Sequence, residues 1–486
     1  MTETRRFIKE STIYTIGEIL TKSLAFILIP VFTRYLTQDE YGIYNLVITI
    51  WPVLVILYGK GFASYIMRGY FEIESDKGKK EFVGTILLFS LIISLFLAAL
   101  THVFGGQLFG IVFKNMGYRP FLQFAVGIAI FKLFTNNVLA VYRAERKPVS
   151  VVSLSLVNFI ITVGFILVLV VYLKMGLIGA LQGQIWGLVI VSVFFFIYVM
   201  KDIRLTIKKR YLSSAILFVL PLIPHALSGW VINLSDRIFI ERYCTLEDLA
   251  IYSLGYQLAL ALDILINSMN QAWMPFFYAN AEKSENRKEL RKSANFFFFS
   301  VVSLGLVLSL FSKEIILIAG RQSYAAAANI FPLIILAFVI HSVYYMTTAS
   351  IFYRMKTGII PVITIVSGAI SIVLNIIFIP KYGYIAAAYT TIVSFSMAAF
   401  LGYLFSRRYF PIPFQLSKML TIFILAAVLY ILSTLFPETS LILNLILKIA
   451  FILIYILLIF TFRIIRFKEL KDIKSFFFNK SHSKEI

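Results

Sequence analysis

The sequence predicts an all-α polytopic membrane protein of about 14 transmembrane helices. They are expected as two parallel six-helix repeats forming two lobes, plus two extra C-terminal helices. Three observations carry that expectation. The 486 residues are 60% hydrophobic and 14% charged, whereas a soluble globular chain is about 45–50% apolar and about 25% charged. The apolar residues fall into runs of about 20, long enough to cross a bilayer, joined by short loops. One pattern also recurs. Arg34-Tyr35-x-Thr37-x-Asp39-Glu40-x-Gly42-Ile43-Tyr44-x-Leu46 returns 208 residues later as Arg242-Tyr243-x-Thr245-x-Glu247-Asp248-x-Ala250-Ile251-Tyr252-x-Leu254.

The runs lie at 11–31, 43–66, 82–104, 119–142, 149–172, 177–200, 213–235, 249–273, 294–318, 326–353, 358–379, 384–404, 417–435 and 441–462. Arg5, Arg6 and Lys9 precede the first run, which holds Glu18 and Lys22 and has no small-residue cleavage site. It reads as a retained span rather than a cleaved leader. Pro52, Pro221, Pro224, Pro332 and Pro361 fall inside runs, where each removes a backbone donor and kinks its helix. The longest loop, around Asn280 to Ser293, is too short to fold as a separate domain.

Lys and Arg number 45 against 24 acids, a net charge of +21. In a soluble chain this excess would raise nucleic acid as a partner. Here the charges sit between apolar runs, so the expected partner is the lipid bilayer and no nucleic acid is expected. With the N-terminus placed inside, the inner loops and tails carry 32 Lys and Arg and the outer ones 8. That bias predicts cytoplasmic termini in a plasma (inner) membrane. The tail from Arg463 to Ile486 is basic and is expected either near anionic lipid or in solvent. Cys244 is the one cysteine, so no intrachain disulfide is possible, and no Cys/His cluster points to a metal.

A second repeated pair keeps nearly the same offset. Lys174-Met175-Gly176-Leu177-Ile178-Gly179-Ala180 returns as Lys381-Tyr382-Gly383-Tyr384-Ile385-Ala386-Ala387, and Tyr142-Arg143 returns more weakly as Tyr353-Arg354. The offset carries the first span onto the seventh and the fifth onto the eleventh. An even number of spans preserves orientation, so the repeats are parallel. The expected organisation is a six-helix lobe at 1–210, a second at 211–408, and two additional helices with the basic tail at 409–486.

The run Arg34-Tyr35-Leu36-Thr37-Gln38-Asp39-Glu40-Tyr41-Gly42-Ile43-Tyr44 resembles the first-loop pattern of the polysaccharide biosynthesis (PST, Wzx-type) flippases. Tyr142-Arg143-Ala144-Glu145-Arg146-Lys147-Pro148 is similar to their basic loop after the fourth span. Asn233-Leu234-Ser235-Asp236-Arg237, followed by Ile251-Tyr252-Ser253-Leu254-Gly255-Tyr256, resembles their seventh-to-eighth-span signature. These flippases belong to the multidrug/oligosaccharidyl-lipid/polysaccharide exporter superfamily. The resemblance implies two six-helix lobes in a V around a cavity that alternates between membrane faces. It also implies a polyprenyl-diphosphate-linked oligosaccharide as cargo, and a glycan polymerase and chain-length machinery as partners. Spacing and composition by themselves reach only a duplicated polytopic protein.

A charge inside a span is costly, so each is a candidate for function. Lys22 in the first span, Lys60 in the second and Lys132 in the fourth all fall in the first repeat. Lysine in a low-dielectric cavity suits phosphate, which makes these three a candidate headgroup-binding set. Each has a plainer alternative or context. Lys60 can snorkel to the surface, and Lys22 can pair with Glu18 one turn earlier. Lys132 has no acid in its helix, and Asn136 and Asn137 follow it. Asp263 is the lone carboxylate of the eighth span, with Asn267 four residues on and so on the same face. Glu18, Asp263 and Asn267 are candidates for coupling to a proton or sodium gradient, or for pairing between lobes. No other cofactor is expected. Arg34, Asp236, Arg237 and Arg242, at the outer ends of spans, form a candidate outer gate. His341 beside Tyr344 and Tyr345 reads as a helix–helix hydrogen bond, and Lys313, Glu314 and Lys448 as charges near span ends, the lysines snorkelling.

Three functions compete. A flippase for lipid-linked oligosaccharide fits the lysines of the first repeat. A multidrug/cation antiporter of the same superfamily would want acids there instead. A membrane glycan polymerase or ligase would want a large external loop, and the external loops are short. The expectation is therefore a transporter and not an enzyme.

Overall fold

The computed structural model describes residues 13, 17, 26–282, 286–436 and 440–462, and among them there is no strand. The expected first span, with Glu18 and Lys22, lies largely outside the described residues, as does the basic tail. Of the remaining expected spans, 12 are single helices long and apolar enough to cross a membrane, and a bent pair raises the number to 13. In chain order these match the second to the fourteenth run.

The chain enters through α1 (Leu28–Tyr35) and turns into α2 (Gln38–Gly59). Thr37 caps α2 reciprocally. Its hydroxyl accepts from the Glu40 backbone N–H at 3.2 Å, and the Glu40 carboxylate accepts from the Thr37 N–H at 2.9 Å. The second expected span ran to residue 66, but the helix stops at Gly59, whose φ of +119° suits only glycine. Lys60 stands at the break before α3 (Gly61–Gly69). Ser75 caps α4 (Asp76–Val112), accepting from Gly78 N–H at 3.1 Å. Next come α5 (Phe121–Ala144), α6 (Pro148–Leu167), which starts on a proline as helices tolerate, and α7 (Gly176–Val199).

The seventh expected span is broken. α8 (Lys209–Val219) and α9 (Leu222–Leu234) meet at Pro221 with a bend of 40°. Proline lacks the N–H that would continue the ladder. After α10 (Asp236–Tyr243), the long α11 (Leu246–Asn280) opens on a second reciprocal cap. Thr245 N–H donates to Asp248 Oδ2, and Asp248 N–H to Thr245 Oγ1, both at 3.1 Å. Thus the repeated Thr-x-x-acid letters do the same job twice. The remaining helices are α12 (Arg287–Leu310), the short α13 (Ser312–Ala319), α14 (Ala327–Tyr353), α15 (Ile359–Tyr382), α16 (Tyr384–Tyr409), α17 (Leu416–Thr434) and α18 (Leu441–Thr461). The expected ninth span, 294–318, therefore ends at Leu310, and α13 follows as a separate piece.

The chain forms two compact units. The first comprises Met1–Leu254, Ile318–Tyr324 and Thr364–Thr390. Its core gathers Phe62, Phe82, Tyr142, Phe195 and Val219 from α3, α4, α5, α7 and α8. Here α2 buries 67% of its most apolar stretch and α6 only 17%, most residues of α6 being half-buried. The second unit comprises Gly255–Leu317, Ala325–Ile363 and Thr391–Ile486. There α14 is buried over 67% of its stretch, while α17 and α18 reach only 22% and 17%.

Candidate functional site

The first unit holds a cavity of about 520 Å³ between the end of α2, the start of α3 and the broken pair α8–α9. The two helix breaks, at Gly59 and Pro221, open this space. Lys60 lines it and is exposed, and its ammonium has no hydrogen-bond or ion-pair partner among the described residues. His225 and Trp230 line the opposite wall. The Trp230 indole N–H donates to Thr49 O at 2.9 Å, which fixes the ring. His225 Nδ1 lies 3.5 Å from Thr364 Oγ1, and Lys60 acts electrostatically on the imidazole. A cationic group over an aromatic, amide-bearing wall can hold an anionic headgroup. The charge in an apolar run marked Lys60 in the sequence. His225 was missed, and Pro221 and Pro224 were the only sign that this segment lines a cavity.

Lys132 is half-buried in α5, also without a hydrogen-bond or ion-pair partner among the described residues, but it does not line that cavity. Its neighbour Asn136 is exposed, while Asn137 is buried and donates to Ser90 Oγ of α4 at 3.0 Å. Lys22 and Glu18 lie outside the described residues.

The candidate gate residues divide. Asp236 and Arg237 form a buried ion pair of 2.8 Å, and Tyr252 donates its hydroxyl to the second carboxylate oxygen. Arg34 and Arg242 are exposed. Arg242 donates to the carbonyls of Ile111 and Val112 at the end of α4, and the Arg34 carbonyl accepts from Arg321. Beside Arg242 stands Glu241, which has no signal in the sequence. Its carboxylate is buried and accepts from three successive backbone N–H groups, Lys114 at 2.9 Å, Asn115 at 2.5 Å and Met116 at 3.0 Å. This clamp ties the loop after α4 to α10. Cys244 follows, its thiol pushed up to about 11 by burial and by nearby Asp248.

In the second unit, Asp263 and Asn267 meet as expected for one helix face. The Asn267 amide donates to Asp263 Oδ2 at 2.9 Å. Tyr345 of α14 stands close by, near enough for Asp263 to act on its hydroxyl electrostatically. His341 is not the hydrogen-bonding bridge expected of it. Its ring stacks between Phe395, with centroids 4.1 Å apart, and Tyr344 at 5.2 Å, and its Nδ1 has no partner among the described residues. Lys448 does not snorkel either. It bonds Glu314 at 2.5 and 2.7 Å, because a carboxylate stands nearer than the helix end.

Known proteins resemble this chain in sequence and in fold. A Haemophilus influenzae protein named Lsg locus putative protein 1 is 25% identical over 74% of this chain and 88% of its own length. The Staphylococcus aureus capsular polysaccharide biosynthesis protein CapF is 24% identical over 81% of this chain and 98% of its own. A solved structure of the lipid II flippase MurJ, in an inward closed conformation, superposes with a TM-score of 0.72 at 15% identity, covering 91% of this chain and 97% of MurJ. The Vibrio cholerae MATE transporter VcmN gives 0.57 at 13% identity, over 83% and 96%. At such identities the two structures speak for a shared fold. The family described as polysaccharide biosynthesis protein matches residues 7–281, more than half of the sequence. This multi-pass, all-helical membrane protein belongs to the polysaccharide biosynthesis protein family.

Proposed function

We propose that this protein is a flippase that moves a polyprenyl-diphosphate-linked oligosaccharide from the cytoplasmic to the outer leaflet of the plasma membrane by alternating access, supplying cell-surface polysaccharide synthesis. The observation that carries the proposal is Lys60, a cation without an ion-pair partner among the described residues, in a cavity opened by two helix breaks. A diphosphate offers that ammonium the anion it lacks. Lys132 is a second cation for the same cargo, met at another point of its passage. The family and the CapF likeness support a polysaccharide role, and the shared fold with a protein named a lipid II flippase supports movement across a bilayer.

On this reading the lobes at 1–210 and 211–408 alternate, with both termini cytoplasmic. Asp263, hydrogen-bonded by Asn267, is the candidate coupling site for a proton or sodium gradient. A glycan polymerase with its chain-length machinery would take up the cargo afterwards. The chain itself is proposed to carry no enzymatic step. The MATE-like fold leaves a cation antiporter as the second reading.

The test is where cargo accumulates. In cells lacking the protein, lipid-linked oligosaccharide should build up out of reach of a glycosidase added to spheroplasts. The wild-type protein should restore access and Lys60→Ala should not. Equal access with and without the protein would refute the proposal.

A further inference from the structure

We propose that the second unit holds a separate binding site for an aminophospholipid headgroup, one that carries both a phosphate and a primary ammonium. The site is a cavity of about 590 Å³ where the end of α12, α13 and the start of α14 meet the two C-terminal helices. Lys448 and Glu314 line it as an ion pair, with side chains 20% and 19% exposed. Lys313 adds a second cation to the lining, and Asn329 and Ser433 add neutral polar groups.

Its depth is the first argument. Lys448 is the eighth residue of α18, so at about 1.5 Å per residue it stands roughly 10 Å in from the helix end. Both partners of an ion pair are expensive at that depth unless polar material reaches them. The cavity brings polar material to them. The approach is the second argument. α17 and α18 flank the cavity, and beside it Leu435, just past α17, and Ile442 and Ile446 of α18 are 71%, 72% and 56% exposed. A ligand entering beside them has apolar chains behind a polar head.

Charge then selects the head. Both signs are present, so a phosphate can lie against Lys313 and Lys448 while an ammonium donates to Glu314. Choline has no N–H to donate. A purely anionic head can meet the lysines but offers Glu314 no donor beyond Lys448. A pocket of this kind between membrane helices is a setting for lipid headgroups. The Lys448 ammonium also lies 5.7 Å from the centre of the Phe311 ring, which holds it over the cavity wall.

The experiment uses the full-length protein in nanodiscs, with headgroup retention read by native mass spectrometry. The probes are phosphatidylethanolamine, phosphatidylcholine and phosphatidylglycerol. Wild type should retain phosphatidylethanolamine about tenfold more strongly than phosphatidylcholine, the scale of one charge-assisted hydrogen bond. Glu314→Gln should abolish that preference. Because breaking a partly buried pair can weaken the fold, Ser433→Phe serves as the second variant. It fills the cavity, leaves the pair intact, and should lower retention of phosphatidylethanolamine. Equal retention of the three lipids by wild type would overturn the proposal. So would undiminished phosphatidylethanolamine retention in Ser433→Phe, or displacement of the lipid by a free oligosaccharide.

Discussion

Asp236 and Arg237 are neighbours in the chain and partners in space, 2.8 Å apart with side chains only 5% and 4% exposed. Tyr252 donates to the other carboxylate oxygen, and Arg237 donates to Asn233 O at 3.1 Å. Removing one charge takes from the other its ion-pair partner at a buried site. Asp236→Ala should therefore lose about 3–5 kcal/mol of stability, and Asp236→Leu combined with Arg237→Met should recover most of it. Thermal unfolding in detergent checks this, and a single variant as stable as wild type would contradict it.

The Glu241 clamp predicts a local effect. Glu241→Ala removes the acceptor for three backbone N–H groups at 114–116. A hydrogen bond to a charged group contributes about 1.5–3 kcal/mol. Hydrogen exchange over residues 113–117 should accelerate by at least tenfold, while exchange in α14 stays unchanged.

The two helix caps should behave alike. Thr37→Ala and Thr245→Ala each remove one half of a reciprocal cap, and each should cost about 1 kcal/mol. Denaturation midpoints would show the match. A loss at one position only would mean that the repeated letters serve different ends.

Cys244 reports on the segment joining α10 to α11. Its thiol is pushed up to about 11, first by burial and then by Asp248, so little thiolate exists at neutral pH. Maleimide labelling should be slow at pH 7, rise steadily toward pH 11, and quicken in Asp248→Asn. A rate that levels off below pH 9 would contradict the assignment.

What the sequence disclosed follows the range of each interaction. Caps act within four residues, so Thr37 with Glu40 and Thr245 with Asp248 were legible as repeated letters. Apolar runs report the bilayer directly, and thirteen of the expected spans have counterparts among the described helices. Gly59 was not legible as a break, because a glycine inside an apolar run has no outward sign of its φ. Glu241 was hidden for another reason, since its partners are backbone N–H groups more than 120 residues away. Register was also deceptive. Arg146 and Met355 both take left-handed φ, at 53° and 55°, in turns closed by Lys147 N–H to Tyr142 O and Lys356 N–H to Ile351 O. These turns pair Tyr142 with Ile351, whereas the matching letters paired it with Tyr353.

Lys60 is where the functional account can fail most plainly. Its loss should weaken binding of a polyprenyl diphosphate about tenfold to a hundredfold, with Lys60→Arg nearly neutral, since either cation can bond phosphate. Titration against a soluble short-chain analogue measures it, and unchanged affinity in Lys60→Ala would move the headgroup site elsewhere.

Flippase activity is read most directly as transbilayer movement of a labelled polyprenyl-diphosphate oligosaccharide in proteoliposomes. Wild type should carry the cargo from one leaflet to the other, and Lys60→Ala or Lys132→Ala should carry little. No transfer of any polyprenyl-linked cargo, together with proton-driven export of cationic dyes, would contradict it and establish the antiporter instead.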